Sequence, residues 1–359
     1  MESNVIKMFK ELTETNGIVG HEKPVREVMK KYLEPLADEI TYDHLGSIIA
    51  VKKSAEDAPR VMLTSHLDEI GFMVTNITDE GFLKFTGLGG WWEHVMLAQR
   101  VNVITRSCDM VEGVIGSKPP HILKAEERKK VVSMNDMFID IGAESKEEAF
   151  SFGVRPGDVI AVICPFTIMK NPKLMMAKAW DNRIGCAIVI EVMKRLKDEQ
   201  LNCTLFGVGA VQEEVGLRGA KTAANKIQPD ISFAIDVGIA GDTPGISKTE
   251  SNAKIGKGPQ IVLYDSSLVS HPGLRNFVTD LADELSIPFQ FEALPFGGTD
   301  AGATHTAGSG APSLAITIAT RYIHSHAAVL HYDDFENTVN LFVNIFKRLN
   351  KETVQNIIF

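Results

Sequence analysis

The chain reads as an α/β protein: an α/β/α sandwich on a mixed, largely parallel sheet, interrupted by a small β-rich, barrel-like domain. Three observations carry this. After about residue 165, apolar strand-like runs alternate with helical stretches, the pattern of a sheet covered by helices. Between about Gly71 and Cys164 that alternation gives way to short strand-like pieces separated by glycine and charge, an all-β signature. The length of 359 residues exceeds one typical domain and fits two. Residues 1–70 and 165–359 are therefore expected to form one discontinuous domain, with 71–164 inserted into it.

The elements follow in order. Residues 3–15 and 22–37 have helical spacing, and Val25, Val28, Met29, Tyr32 and Leu33 form one face of the second stretch. Gly17 and Gly20 break between them. Residues 40–42 and 47–51 predict a hairpin through His44-Leu45-Gly46, and 60–68 a mostly apolar strand ending in a polar pair. In the β-rich part, strands are expected at 72–75, 82–85, 100–105, 111–115, 137–141 and 159–163, with one short helix near 145–152. Residues 119–130 read as an exposed, charged loop. Then come a helix (182–196), a strand (204–211), a helix (218–227), a strand (231–235), a helix (271–285), a strand (313–319) and a closing helix (333–349).

Bulk properties narrow the function. A net charge of -9 argues against nucleic acid or an anionic membrane as the main partner. Four cysteines without a CxxC pair read as small buried hydrophobes in a reducing compartment, which makes a thiolate zinc site an unsuitable reading. Met1–Lys7 lacks a basic region followed by an apolar core, and no run approaches 18 apolar residues. The expectation is a cytoplasmic protein.

The chemistry concentrates at strand ends. Val208-Gly209-Ala210-Val211 is followed, after Gln212, by Glu213 and Glu214, and two adjacent acids at the end of a buried strand repel each other unless cations offset them. His66, Asp68, Asp181, Asp236 and His324 also sit at or just past apolar runs. Each has an ordinary alternative. His66 and Asp68 can be a hydrogen-bonded pair, Asp181 an N-cap, Glu213-Glu214 a solvated acidic turn, and Asp236 a turn former. Of His324 and His326, strand geometry alone does not select one. Together they place acids and histidines after the strands of an α/β sheet, where such folds bind ligands. His and carboxylates without Cys suit Zn²⁺, Co²⁺ or Mn²⁺ in a two-metal site that activates water.

Six motifs go further: Ser65-His66-Leu67-Asp68, Ala179-Trp180-Asp181-Asn182-Arg183, Gln212-Glu213-Glu214-Val215-Gly216, Ala234-Ile235-Asp236, Gly297-Gly298-Thr299-Asp300-Ala301 and Arg321-Tyr322-Ile323-His324-Ser325. In this order, across essentially the whole chain, they resemble the M42 family of metallo-aminopeptidases, which includes bacterial glutamyl aminopeptidase and the tetrahedral (TET) archaeal peptidases. The resemblance implies that Asp181 bridges two metals, one also held by His66 and Asp236, the other by Glu214 and His324. It implies Glu213 as general base and Asp68 as partner of His66. It further implies peptide substrates with a free N-terminus, a β-rich domain that mediates dimerisation, and dimers assembling into a tetrahedral dodecamer. The charged loop around His121 is similar to a segment that reaches a neighbouring active site in such assemblies. Two other readings stand beside this one: a glycan hydrolase, which would leave the histidines idle, and a non-catalytic assembly protein with structural metals, for which the set is short of cysteine.

Overall fold

The computed structural model describes residues 3–358. Its eight-stranded sheet runs, edge to edge, through Glu39–Tyr42, Ile48–Lys52, Thr204–Ala210, Arg60–His66, Ile231–Ile239, Ser313–Thr320, Gln260–Asp265 and Gln290–Leu294. The first three strands pair antiparallel. Pairing is parallel from Thr204–Ala210 across to Ser313–Thr320. It turns antiparallel at Gln260–Asp265 and parallel again at the edge. Ser313–Thr320 is buried along its whole length, as expected for a central strand covered on both faces.

Alternation along the strands sends side chains into two layers. Ile48, Ala50, Val61, Leu63 and Leu205 pack with the helices Ser3–Glu14, Lys23–Leu33, Trp180–Leu196 and Tyr332–Arg348. Ile49, Val51, Met62, Phe206 and Val208 pack on the opposite face, against Ala220, Ala223, Ala224 and Ile227 of the helix Arg218–Ile227. This is the expected α/β/α sandwich.

The β-rich segment forms a closed barrel of Gly71–Ile77, Leu83–Leu88, Phe138–Asp140, Met110–Gly116, Arg100–Ile104 and Val159–Val162, in that order. All its pairings are antiparallel. It has its own core, with Phe72, Val74, Phe85, Val101, Val103, Ile139 and Ile160 inside. The short helix is Lys146–Ser151, and the Ser145 hydroxyl accepts from the Glu148 amide at its start. The loop around His121 is exposed and holds two 3-10 turns, Pro120–Ile122 and Glu127–Lys129.

Three features of the strands depart from the sequence expectation, and a further helix, Lys351–Ile358, follows the one expected to close the chain. The strand expected at 231–235 continues to Ile239, so Asp236 lies within it and does not start a turn. Eight backbone partners on Ser313–Thr320 hold the chain extended that far. Gln260–Asp265 and Gln290–Leu294 are strands that the sequence pattern does not predict. Gln260–Asp265, paired on both sides and mostly buried, offers only a short apolar run between polar residues, and the edge strand Gln290–Leu294 mixes buried, half-buried and exposed positions; neither shows a clear strand pattern. A small antiparallel sheet of Thr167–Ile168, Leu174–Ala177 and Ala328–His331 also joins distant parts of the chain. No helix among the described residues is long and apolar enough to cross a membrane.

Candidate metal centre

His66 closes its strand and pairs in register with Ala210, the last residue of the next strand. The Glu213-Glu214 turn therefore leaves the sheet beside His66, at the carboxyl edge of the parallel strands. Gln212 makes this possible by taking a left-handed backbone, φ 57°, a conformation costly for a non-glycine residue and concentrated at functional sites. The turn is held from below. The Asp68 carboxylate accepts the Glu213 amide on Oδ1 and the Glu214 amide on Oδ2, each at 3.0 Å. Glu22, buried, accepts the Gln212 amide at 3.1 Å.

Asp68 thus has a different geometry from the one expected. The strand stops at His66, so His66 and Asp68 do not share a strand face. His66 Nδ1 meets the Asp68 backbone carbonyl at 3.0 Å, whereas the carboxylate lies 3.6 Å away and is occupied by the two amides.

Asp181 is not an N-cap. That task falls to Asn182, whose Oδ1 accepts the Gly185 amide at 3.1 Å while its Nδ2 donates to the Ile235 carbonyl at 2.6 Å. Asp181 and Asn182 are non-helical at the start of this helix. The Asp181 carboxylate is left free to face two histidines. Its Oδ1 is 3.1 Å from His66 Nε2, and its Oδ2 is 3.4 Å from His324 Nε2.

The remaining acids divide between those two histidines. Glu213 Oε2 and Asp236 Oδ1 are each 3.8 Å from His66 Nε2, and Glu214 Oε2 is 3.6 Å from His324 Nε2. One atom each from His66, Asp181 and Glu214 falls within a 4.8 Å group suited to a cation. His324, with φ 54°, is oriented by the Gly90 carbonyl, 2.8 Å from its Nδ1, so the barrel's loop touches the site. His326 takes no part; its buried Nδ1 has no partner.

The electrostatics show what the cluster lacks. Burial and the charge of Asp181 push the Glu214 carboxyl up to about 8. Burial, and then the carboxylates of Asp236, Asp300 and Glu214, hold Glu213 well above the usual range although His66 pulls it down. Burial also raises Asp236. Asp181 is lowered: burial works the other way, but its bonds to His324 and His66 prevail. His324 rises to about 10, since Asp181 and Glu214 outweigh burial. Four carboxylates share two imidazoles, so the site is short of positive charge. Its nitrogen and oxygen donors suit Zn²⁺, Co²⁺ or Mn²⁺, and the residues fit a divalent metal.

Asp300 belongs to the same neighbourhood, though the motif that contains it gave it no role. It is buried, its Oδ1 has no partner, and its Oδ2 is 3.3 Å from the Thr64 hydroxyl. Burial and then the neighbouring carboxylates hold it at about 7 even though His66 pulls it down. An acid opening a short helix reads as an ordinary helix start, and the motif around it marks the segment without assigning Asp300 a task.

A cavity of about 340 Å³ opens over the cluster, and Glu213, Glu214, Asp181, His66 and His324 line it. A pocket with convergent acids, histidines and raised carboxyl pKa values is the signature of a hydrolytic metal site, which defines the class: a metal-dependent hydrolase on an α/β sandwich. A family profile described as M42 glutamyl aminopeptidase matches residues 46–341. The chain belongs to the M42 peptidase family, and it is an aminopeptidase. It is 38% identical to the glutamyl aminopeptidase of Lactococcus lactis over 350 residues, 97% of each chain. The TET aminopeptidase of a marine-sediment thaumarchaeote superposes with a TM-score of 0.96 at 46% identity, covering 99% of each chain. The Pyrococcus horikoshii TET1 peptidase, which can assemble into a tetrahedron or a large octahedral shell, has a TM-score of 0.86 at 35% identity, covering 96% of this chain and all of the other.

Proposed function

We propose that the protein removes the N-terminal residue of peptides at a centre of two divalent metals, with Glu213 as general base. The observation that carries this is the Asp181 carboxylate, which turns one oxygen to His66 and the other to His324. His66, Asp236 and Asp181 would hold one ion, and Glu214, His324 and Asp181 the other, with Zn²⁺ or Co²⁺ favoured by the donors and Mn²⁺ also compatible. When bound, the ions supply Lewis acidity, lowering the pKa of water and polarising the scissile carbonyl.

The chain's own residues do the rest. Glu213, whose burial and acidic neighbours raise its pKa, takes a proton from the attacking water on a carboxylate oxygen. It then returns that proton to the leaving amine, as a base tuned towards neutrality can. Asp68 fixes the Glu213 and Glu214 amides so that each acid keeps to its own histidine. The acidic end of the cavity receives the substrate's free α-amine, which makes the enzyme an exopeptidase. We further propose that residues 71–164 act as an inserted domain for dimerisation, and that dimers form a tetrahedral dodecamer in the cytoplasm. The assembly of the P. horikoshii relative supports the latter.

Metal removal tests the reading. Treatment with a chelator should abolish release of the N-terminal residue from peptides, and Zn²⁺ or Co²⁺ should restore it. Activity untouched by exhaustive chelation would remove the metal mechanism.

A further inference from the structure

The cavity over the centre has two chemically distinct ends. One is the cluster of histidines and acids; the other is walled by Val237, Ile239, Leu294, Phe296 and Ile323, with Gly238, Gly297 and Gly298 contributing backbone. Ile239 is 38% and Phe296 92% exposed, so much of this apolar wall stands open to whatever enters.

No cation meets that end. Among the described residues, no lysine or arginine lines the cavity. Arg321 begins the segment that carries Ile323, but Asp242 holds its guanidinium, with Nη2 2.7 Å from Oδ2 and Nε 3.3 Å from Oδ1. Among the described residues, no free anion meets it either. Glu292 is buried behind Gly238, which a Cβ would drive into it. One Glu292 oxygen accepts from the Ile239 amide at 3.0 Å and the other from the Thr317 hydroxyl at 2.8 Å.

We infer that this apolar end receives the side chain of the substrate's first residue and selects uncharged apolar side chains over acidic and basic ones. The inference rests on the aminopeptidase reading above. A glutamyl or lysyl side chain placed there would lose water without gaining a partner. A leucyl, methionyl or phenylalanyl side chain would cover Ile239, Leu294 and Phe296 and remove apolar surface from water. A site built for one polarity discriminates by about tenfold or more in kcat/KM.

The test uses the metal-loaded full chain and a panel of Leu, Met, Phe, Glu and Lys 4-nitroanilides, with calorimetry of free leucine, glutamate and lysine binding. Apolar substrates leading by about tenfold or more is the expected result. Hydrolysis led by the glutamyl or lysyl compound overturns the pocket assignment and leaves the aminopeptidase reading standing. Hydrolysis of none overturns the aminopeptidase reading, and calorimetry then decides the pocket alone: leucine must bind more tightly than both charged amino acids. Ile239→Arg, checked for unchanged metal content, should raise the glutamyl-to-leucyl ratio about tenfold or more. An unchanged ratio would remove Ile239 from the wall.

Discussion

Two buried ionic clusters lie side by side in this protein and are built on opposite terms. In the first, Glu69 accepts both contacts of Lys178 at 2.7 Å and one from Arg183 at 3.1 Å. Arg183 also donates to the carbonyls of Leu67, Leu12 and Thr15. Burial pushes the Glu69 carboxyl up, but the charges of Lys178 and Arg183 overcome it and hold it low. In the second, four carboxylates crowd two imidazoles, and Glu213, Glu214 and Asp236 all rise. The clusters share chain segments: Asp68 faces one and Glu69 the other, as do Asp181 and Arg183. A buried acid cluster that its own chain balances is structural, whereas one left unbalanced at a cavity is built for something that arrives from outside.

The largest expected effect strikes the unbalanced cluster. Glu213→Gln should lower kcat roughly 10²–10⁴-fold, the range of a lost general base, with metal content by elemental analysis unchanged. Asp181→Ala should lose bound metal as well as activity. A Glu213→Gln enzyme that keeps most of its turnover would sink the base assignment.

The balanced cluster should answer in stability. Glu69→Gln leaves Lys178 and Arg183 buried beside a neutral amide, a change that costs about 3–5 kcal/mol when one partner of a buried pair is removed. Denaturant unfolding measures it. A loss below about 1 kcal/mol would mean that water or a shift of Lys178 relieves the charge, and the contrast between the clusters would weaken.

The unbalanced cluster was far more legible in the sequence than the balanced one. His66, Glu213, Glu214 and Asp236 betray themselves because acids or histidines interrupt apolar strand runs. Lys178 pairs with Glu69 across 109 positions and Arg183 across 114, and no local pattern reports such a partner. The sandwich was readable because most of its buried strands are mainly apolar runs, while Gln260–Asp265 has only a short apolar run between polar residues and the edge strand Gln290–Leu294 carries half-buried and exposed residues. Asp181 was ambiguous for a specific reason: capping falls to its neighbour Asn182, and either residue type caps well.

Glu292 shows a third way to keep a buried acid, by shifting its ionisation to higher pH. Burial raises it to about 7 against its Thr317 and Ile239 hydrogen bonds. Its folded pKa lies above the unfolded value of 4.5, so the stability it contributes is fully present below pH 4.5 and is lost as pH rises through about 7. Glu292→Gln cannot ionise. The variant should therefore gain on the parent by up to about 3 kcal/mol between pH 5 and 8, since each tenfold difference in proton affinity between folded and unfolded chain is worth about 1.4 kcal/mol. Glu69 has the opposite sign: its lowered pKa means its contribution disappears on acidification. Parallel pH curves for the Glu292→Gln variant and its parent would show that Glu292 ionises freely in the fold.

Asp68 stands between the clusters and gives the finest separation. Its two oxygens each take one amide, from Glu213 and Glu214, and Asp68→Asn keeps the shape but turns one acceptor into a donor facing an amide hydrogen. The Glu213-Glu214 turn should then shift relative to His66 and His324. An outer partner of a metal ligand is worth about 10–100-fold in metal affinity or activity, so kcat and metal binding should fall by that range, less than for Glu213→Gln. A structural role alone would lower stability and leave kcat of the metal-saturated enzyme intact. A fall in kcat at full metal occupancy, with the unfolding midpoint little changed, would assign Asp68 to the unbalanced cluster even though Glu69, the next residue, belongs to the balanced one.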